Sequence, residues 1–110
     1  MRRYCPEVFR KIEVWVDGGI NRGTDVVKAL CLGAKAVGIG RAALFGLSVG
    51  GSEGVERVID ILHEEMATCI RLLGARSIGE LGMKYVNARA LEPLLWRPEE
   101  DLLQKVAAKL

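Results

Sequence analysis

Two short apolar segments, each followed by a glycine-rich turn and a helical pattern, constrain this 110-residue chain more than any other feature. The first runs from Ile12 to Gly19 and the second from Ala36 to Arg41. Segments that are almost continuously apolar are typical of parallel strands with both faces buried. Strands that alternate with helices across short connections require parallel pairing and right-handed crossovers. The chain is therefore predicted to be an α/β protein with strands over residues 12–16 and 36–40.

Both glycine turns have the chemistry of an anion-binding site. Glycine lets backbone N–H groups approach an anion without an intervening Cβ. The helix that follows each turn points its unpaired N–H groups and the positive end of its dipole at the same place. Tandem units of this kind can hold a phosphate between them. A short glycine pattern is weak evidence by itself, so a plain strand-to-helix connection is the alternative.

Apolar spacing and capping residues predict where the helices begin and end. Thr24 is predicted to cap a helix that ends at Gly33, and Ser52 is predicted to cap the longest helix. Ser77 and Glu80 fit a capping box. The predicted helical ranges are 5–11, 24–32, 41–49, 53–73, 78–86 and 99–109, with a break at Gly50-Gly51.

Composition excludes several classes of function. The 16 basic and 14 acidic residues give a net charge of +2, which is too even to attract nucleic acid. No run of 18 apolar residues occurs, so no membrane span is predicted. The three cysteines, Cys5, Cys31 and Cys69, are odd in number and lack C-x-x-C spacing, so neither a disulfide framework nor a metal site is predicted. With no targeting signal recognised, a cytoplasmic or mitochondrial location is expected.

Residues 17–41 carry a more specific signal, which begins with Asp17-Gly18-Gly19 and ends with Gly40-Arg41. This stretch resembles the C-terminal part of the FMN-dependent 2-hydroxy acid dehydrogenases and oxidases, which include glycolate oxidase and the flavocytochrome-type L-lactate dehydrogenases. The resemblance continues through Gly54-Val55-Glu56, residues 71–74 and Ser77-Ile78. It covers residues 4–87, which we treat as one unit, and leaves 88–110 as a tail.

The resemblance implies a fold. Members of this family are (β/α)₈ TIM barrels, and the two strands of this chain correspond to strands 7 and 8. The loops after these strands are where such barrels commonly bind phosphate. A barrel needs about 250 residues, so the chain is expected to be the C-terminal portion of one. The apolar surfaces that would meet the other units are expected to be exposed.

The resemblance also implies FMN as the cofactor and assigns residues to it. The residues carried over by position are Asp17, Gly18, Gly19, Ile20, Asn21, Gly40 and Arg41. The glycines would present N–H groups to phosphate, Arg41 would form a bidentate contact with it, and Asp17 would accept a hydrogen bond from a ribityl hydroxyl. The family usually has arginine where this chain has Asn21, which leaves the Asn21 amide or the guanidinium of Arg22 as replacement donors.

No catalytic residue is assigned. The family's catalytic histidine precedes Gly-Gly-Arg, whereas the only histidine of this chain, His63, precedes Glu64-Glu65 in a predicted helix. The resemblance thus implies an FMN-binding segment, inactive alone, of a homo-oligomeric oxidoreductase that converts small L-2-hydroxy acids such as L-lactate or glycolate to 2-oxo acids. Two alternatives are a non-catalytic binding or subunit-association fragment and a phosphate-binding segment like that of inosine monophosphate dehydrogenase. Glu64-Glu65 is expected to be a solvated helical face.

Overall fold

The computed structural model describes residues 5–95, which form two parallel strands and several helices. The strand–helix–strand–helix order predicted from the sequence is confirmed. The predicted helix over 99–109 lies outside the described residues. The elements are α1 (Val8–Lys11), β1 (Trp15–Asp17), α2 (Gly23–Cys31), β2 (Ala36–Gly38), α3 (Arg41–Leu72) and three 3₁₀ segments, Ile78–Glu80, Met83–Tyr85 and Arg89–Leu94.

The sheet brings the two glycine turns to the same edge. β1 and β2 pair in parallel, with Val16 opposite Val37 and Asp17 opposite Gly38. Because parallel strands end at the same edge, the turn after Asp17 and the turn before α3 are neighbours. Each strand has three residues and is shorter than predicted.

The expectation that apolar surface is exposed in this chain is confirmed at both strands, which lack the burial on both faces that their apolar pattern suits. All three residues of β1 are exposed, and the side chain of Trp15 is 72% exposed. β2 is at most half-buried. The reason is that two strands leave both sheet edges open, and no element within residues 5–95 covers the faces that the apolar pattern anticipates.

The small core lies between α2, α3 and the segment that follows α3. Its buried apolar residues are Val27, Ala29, Cys31, Ala34 and Ala75. Val27, Ala29 and Cys31 of α2 therefore pack inward. Gly33, with a φ of 102°, ends α2 as the sequence predicted.

Helix α3 bends sharply at the predicted break. Gly50 and Gly51 have non-helical backbone angles, and Gly51 has a φ of 60° that favours glycine. The segment before the bend packs against the segment after it. A Cβ built on Gly46 would lie 2.7 Å from the carbonyl oxygen of Gly54, so only glycine permits this approach.

Two predicted helix caps are wrong because carboxylates replace the predicted hydroxyl groups. The N-cap of α2 is Arg22 rather than Thr24, and the helix begins at Gly23. Ser77 makes no side-chain cap; instead Glu80 accepts hydrogen bonds from the backbone N and the Nε of Arg76, both at 3.1 Å. A carboxylate offers a charged acceptor to exposed N–H groups, which is a stronger contact than a hydroxyl gives.

None of the helices in residues 5–95 combines the length and the apolar character that crossing a bilayer demands.

Candidate functional site

The two glycine turns lie side by side where the strands end. Asp17 is the last residue of β1, and Gly38 is its partner on β2. A Cβ built on Gly38 would lie 3.2 Å from Cγ of Asp17, so the absence of a side chain at Gly38 gives this carboxyl group its room. The arrangement places an acidic side chain between the two turns.

The first turn requires glycine and presents an open surface. Gly18 and Gly19 have φ values of 91° and 73°, a region that other residues rarely adopt. A Cβ built on either would meet no atom within 4 Å. The backbone N of Gly18 donates to Oδ1 of Asp17 at 2.6 Å. Within residues 5–95 the Gly19 N–H and Oδ2 of Asp17 have no hydrogen-bond partner, so both can meet a ligand.

The N-terminus of α3 is open. Its N-cap, Gly40, has no side chain, and a Cβ built there would meet no atom within 4 Å. Arg41 is the first helical residue, is exposed, and pairs with no acidic residue in the described part of the chain. The first N–H groups of a helix have no partner within the helix and carry its positive dipole end. Backbone donors and a guanidinium group thus converge at this end of α3.

The N-terminus of α2 is closed. Oε2 of Glu65, from α3, accepts a hydrogen bond from the Gly23 N at 2.8 Å. Oδ2 of Asp25 accepts from the backbone N of Asn21 at 3.3 Å and of Arg22 at 3.1 Å. The expectation that both helices offer free N–H groups is therefore wrong for α2, because two carboxylates already occupy these donors.

Arg22 contacts the part of α3 that follows the bend, far along the helix from Arg41. Its Nη2 lies 3.0 Å and its Nε 3.3 Å from Oε1 of Glu65. In this structure the guanidinium is committed to Glu65, which removes the support for Arg22 as a replacement phosphate ligand. Arg22 lines a groove with Thr68 and Leu72, whereas Asn21 lines a different, apolar groove with Ala42 in the first turn of α3.

The carboxylates of this junction are held in their charged form. The hydrogen bond from Arg22, aided by the Gly23 N–H, lowers the pKa of Glu65. The same contact raises the pKa of Arg22. The pKa of Asp25 is lowered, mainly by its hydrogen bond with Lys28. The junction is thus ionic throughout the neutral range.

The predicted site residues occupy these positions without a contact that tests their role. Asp17, Gly18 and Gly19 form the first turn, Gly40 and Arg41 begin α3, and Ile20 is half-buried between the turn and α2. The assignment of FMN to these residues stays a prediction.

Glu65 is the residue that the sequence analysis misinterpreted. Glu64 is solvated as expected, with its side chain 68% exposed, but that of Glu65 is 29% exposed and bridges α3 to α2. The signal was present in the helical spacing, because Leu62, Glu65, Met66 and Cys69 share one face of α3. His63 is exposed.

Comparison with known proteins identifies the family. Residues 2–88 match the model of the FMN-dependent dehydrogenase family. The chain is 59% identical over 82 residues to L-lactate dehydrogenase (cytochrome) of Saccharomyces cerevisiae, which covers 74% of this chain and 14% of that protein. It is 47% identical over 87 residues to 2-hydroxyacid oxidase 2 of Mus musculus, covering 79% of this chain and 25% of that protein.

The solved structures agree with the sequence relatives. The recombinant flavin-binding domain of baker's yeast flavocytochrome b2 superposes with a TM-score of 0.73 at 47% identity, covering 87% of this chain and 25% of that structure. The chain therefore belongs to the FMN-dependent dehydrogenase family, whose cofactor is FMN. It spans between 14% and 25% of the length of these relatives.

Proposed function

We propose that this chain is the FMN-binding segment of an oxidoreductase that converts L-2-hydroxy acids, such as L-lactate or glycolate, to 2-oxo acids. The observation that carries the proposal is the open N-terminus of α3, which begins with Arg41 and follows the strand paired with β1, at the sheet edge where the Gly18-Gly19 turn also lies. The names of the two sequence relatives support the substrate class, since one is a lactate dehydrogenase and the other a hydroxyacid oxidase.

The residues present fit the phosphate of FMN. Arg41 supplies a planar guanidinium, and the uncapped N–H groups at the start of α3 supply charge-complementary donors. The Gly19 N–H and the Asn21 amide add donors from the first turn. Oδ2 of Asp17 suits a hydroxyl group rather than a phosphate, because two anions repel each other. When bound, FMN would supply the flavin ring that accepts the hydride of the substrate.

The two strands are proposed to be strands 7 and 8 of a (β/α)₈ barrel. The exposed apolar side chains of β1 support this, because Trp15 and Val16 have the character of buried strand residues yet are 72% and 36% exposed. No histidine followed by Gly-Gly-Arg occurs in the sequence, so we propose that the chain alone does not turn over substrate. A cytoplasmic or mitochondrial location is proposed with this function, and cell fractionation would test it.

The decisive test compares the FMN affinity of the chain with that of an Arg41→Met variant, both measured by flavin fluorescence. We expect the variant to bind FMN about 10- to 100-fold more weakly, because a hydrogen bond to a charged group contributes about 1.5–3 kcal/mol. Riboflavin, which lacks the phosphate, should bind both proteins equally.

The matched control is Arg71→Met, which removes the same charge at the other, exposed end of α3. Equal losses in both variants would contradict a specific role for Arg41. Addition of L-lactate should leave the bound flavin oxidised, and reduction by the chain alone would overturn the proposed inactivity.

A second candidate function is subunit association without catalysis. The observation that favours it is the amount of exposed apolar surface in the first part of α3, where Leu44, Phe45 and Val49 are 64%, 67% and 90% exposed. Large contiguous apolar patches mark interaction sites. Sedimentation at increasing concentration, with and without FMN, separates the two candidates, because an association module would self-associate or bind a partner without any flavin.

A further inference from the structure

We propose that Glu65 is a positioning residue for the phosphate of FMN. Its carboxylate fixes the Asn21–Gly23 segment on α3, turns the Asn21 side chain toward the first turn of that helix, and holds Arg22 away from the anion. This inference rests on the proposed function, and it assigns a role to a residue outside the glycine turns.

The first step of the argument is that both oxygens of one carboxylate are engaged. Oε2 accepts from the Gly23 N at 2.8 Å, and Oε1 accepts from Arg22 at 3.0 and 3.3 Å. The backbone at Gly23 also lies directly on α3, since a Cβ built there would be 2.5 Å from the Leu62 carbonyl oxygen and 2.6 Å from Cβ of Glu65. The segment is therefore fixed by contact and by charge at the same point.

The second step concerns the direction of two neighbouring side chains. Arg22 has extended backbone angles, with φ of −136° and ψ of 157°. In extended backbone, consecutive side chains point to opposite sides. Anchoring Arg22 to Glu65 on one side thus turns Asn21 to the other, where it lines the groove that contains Ala42.

The third step is that a positioning role and a purely electrostatic role of Glu65 predict opposite changes in FMN affinity when Glu65 is removed. Glu65 is an anion, so electrostatics alone predicts that its removal strengthens the binding of a phosphate. If Glu65 acts by positioning, its removal weakens binding, because the Asn21 amide and the turn lose their fixed geometry. The sign of the change therefore separates the two roles.

The experiment compares FMN and riboflavin affinities of the full chain with those of Glu65→Ala, Glu65→Gln and Glu64→Gln. We expect Glu65→Ala to weaken FMN binding about tenfold and Glu65→Gln to weaken it less, since an amide oxygen still accepts from the Gly23 N–H. Glu64→Gln, which removes the same charge one residue away, should leave FMN binding equal or stronger. Riboflavin affinity should not change. Unchanged or stronger FMN binding by Glu65→Ala would overturn the proposal.

A second measurement needs no flavin. Amide hydrogen exchange of Gly23 should accelerate at least about tenfold in Glu65→Ala and stay slow in Glu64→Gln, while the Val27 and Cys31 amides report whether the core remains folded. An unchanged exchange rate of the Gly23 amide in Glu65→Ala would overturn the positioning role of Glu65 and leave the proposed function intact. Failure of the unaltered chain to bind FMN would instead overturn the proposed function, together with the phosphate role given to Glu65. If Glu65→Ala unfolds, Glu65→Gln decides: weaker FMN binding than in Glu64→Gln supports the positioning role, and equal or stronger binding overturns it.

Discussion

The beginnings of α2 and α3 follow the same strand–glycine–helix pattern but differ in what occupies their N–H groups. At α2, Asp25 and Glu65 accept hydrogen bonds from the backbone of residues 21–23. At α3, no side chain caps the helix, and Arg41 adds a positive charge. The beginning of α2 is closed by carboxylates and the beginning of α3 is open, although a glycine pattern alone does not distinguish them.

The acidic content of the first helical turn explains this difference. In α2, Asp25 stands at the third helical position and reaches back to the preceding N–H groups. The first turn of α3 has no acidic residue. A carboxylate at this position satisfies the donors and repels a phosphate, so its presence marks a closed helix end.

The largest expected effect concerns glycines at the two helix ends. Gly23→Ala should destabilise the chain by about 2 kcal/mol or more, because the new Cβ would collide with backbone atoms of α3. Gly40→Ala should cost less, about 1 kcal/mol or under, since no atom lies within 4 Å of the new Cβ. Urea unfolding measures both. Similar losses would contradict the closed–open distinction.

A smaller effect is expected from pH. The pKa values of Glu65 and Asp25 are lowered in the folded chain. Their contribution to stability is therefore complete above the ordinary carboxyl range near pH 4 and is lost as pH falls through the lowered folded-state pKa values. The urea midpoint should fall between pH 5 and pH 3, and it should fall less in Glu65→Gln. Parallel curves for the two proteins would show that the junction is not ionic.

The smallest effect belongs to the outer ion pair of α2. Nζ of Lys28 lies 3.2 Å from Oδ1 of Asp25, and the Lys28 side chain is 62% exposed. Exposed pairs of this kind contribute about 0.2–0.5 kcal/mol. Lys28→Met should lower the free energy of unfolding by about that amount. Lys35→Met, at an exposed lysine without an ion pair in the described chain, is the control, and a loss above about 1 kcal/mol for Lys28→Met would assign the pair a larger role.

The order of the elements could be predicted because it depends on local signals. Apolar runs located β1 and β2, and glycines located the end of α2 and the bend of α3 at Gly50-Gly51. The exposure of Trp15 could be predicted only from the resemblance, because the apolar pattern of β1 by itself indicates a buried strand. An apolar pattern shows that a strand is suited to burial, but the strand is buried only where other elements pack against it.

The site was predictable only in part for a related reason. The parallel register that joins the two turns follows from a short strand–helix–strand connection, and the structure shows it. The fate of Arg22 depends on Glu65, which lies 43 positions away in the sequence. No local signal links the two residues. Only the fold shows that the second basic candidate already has a partner.

The bend in α3 determines the distance between Arg41 and Glu65. Arg41 stands before the bend and Glu65 after it, so the angle at Gly50-Gly51 fixes how far the exposed guanidinium lies from the anchored loop. Because the backbones of Gly46 and Gly54 are already in close contact, the two arms of α3 cannot approach each other further. A side chain at Gly46 would push the two arms apart, and the distance between Arg41 and Glu65 would grow without a change to either residue.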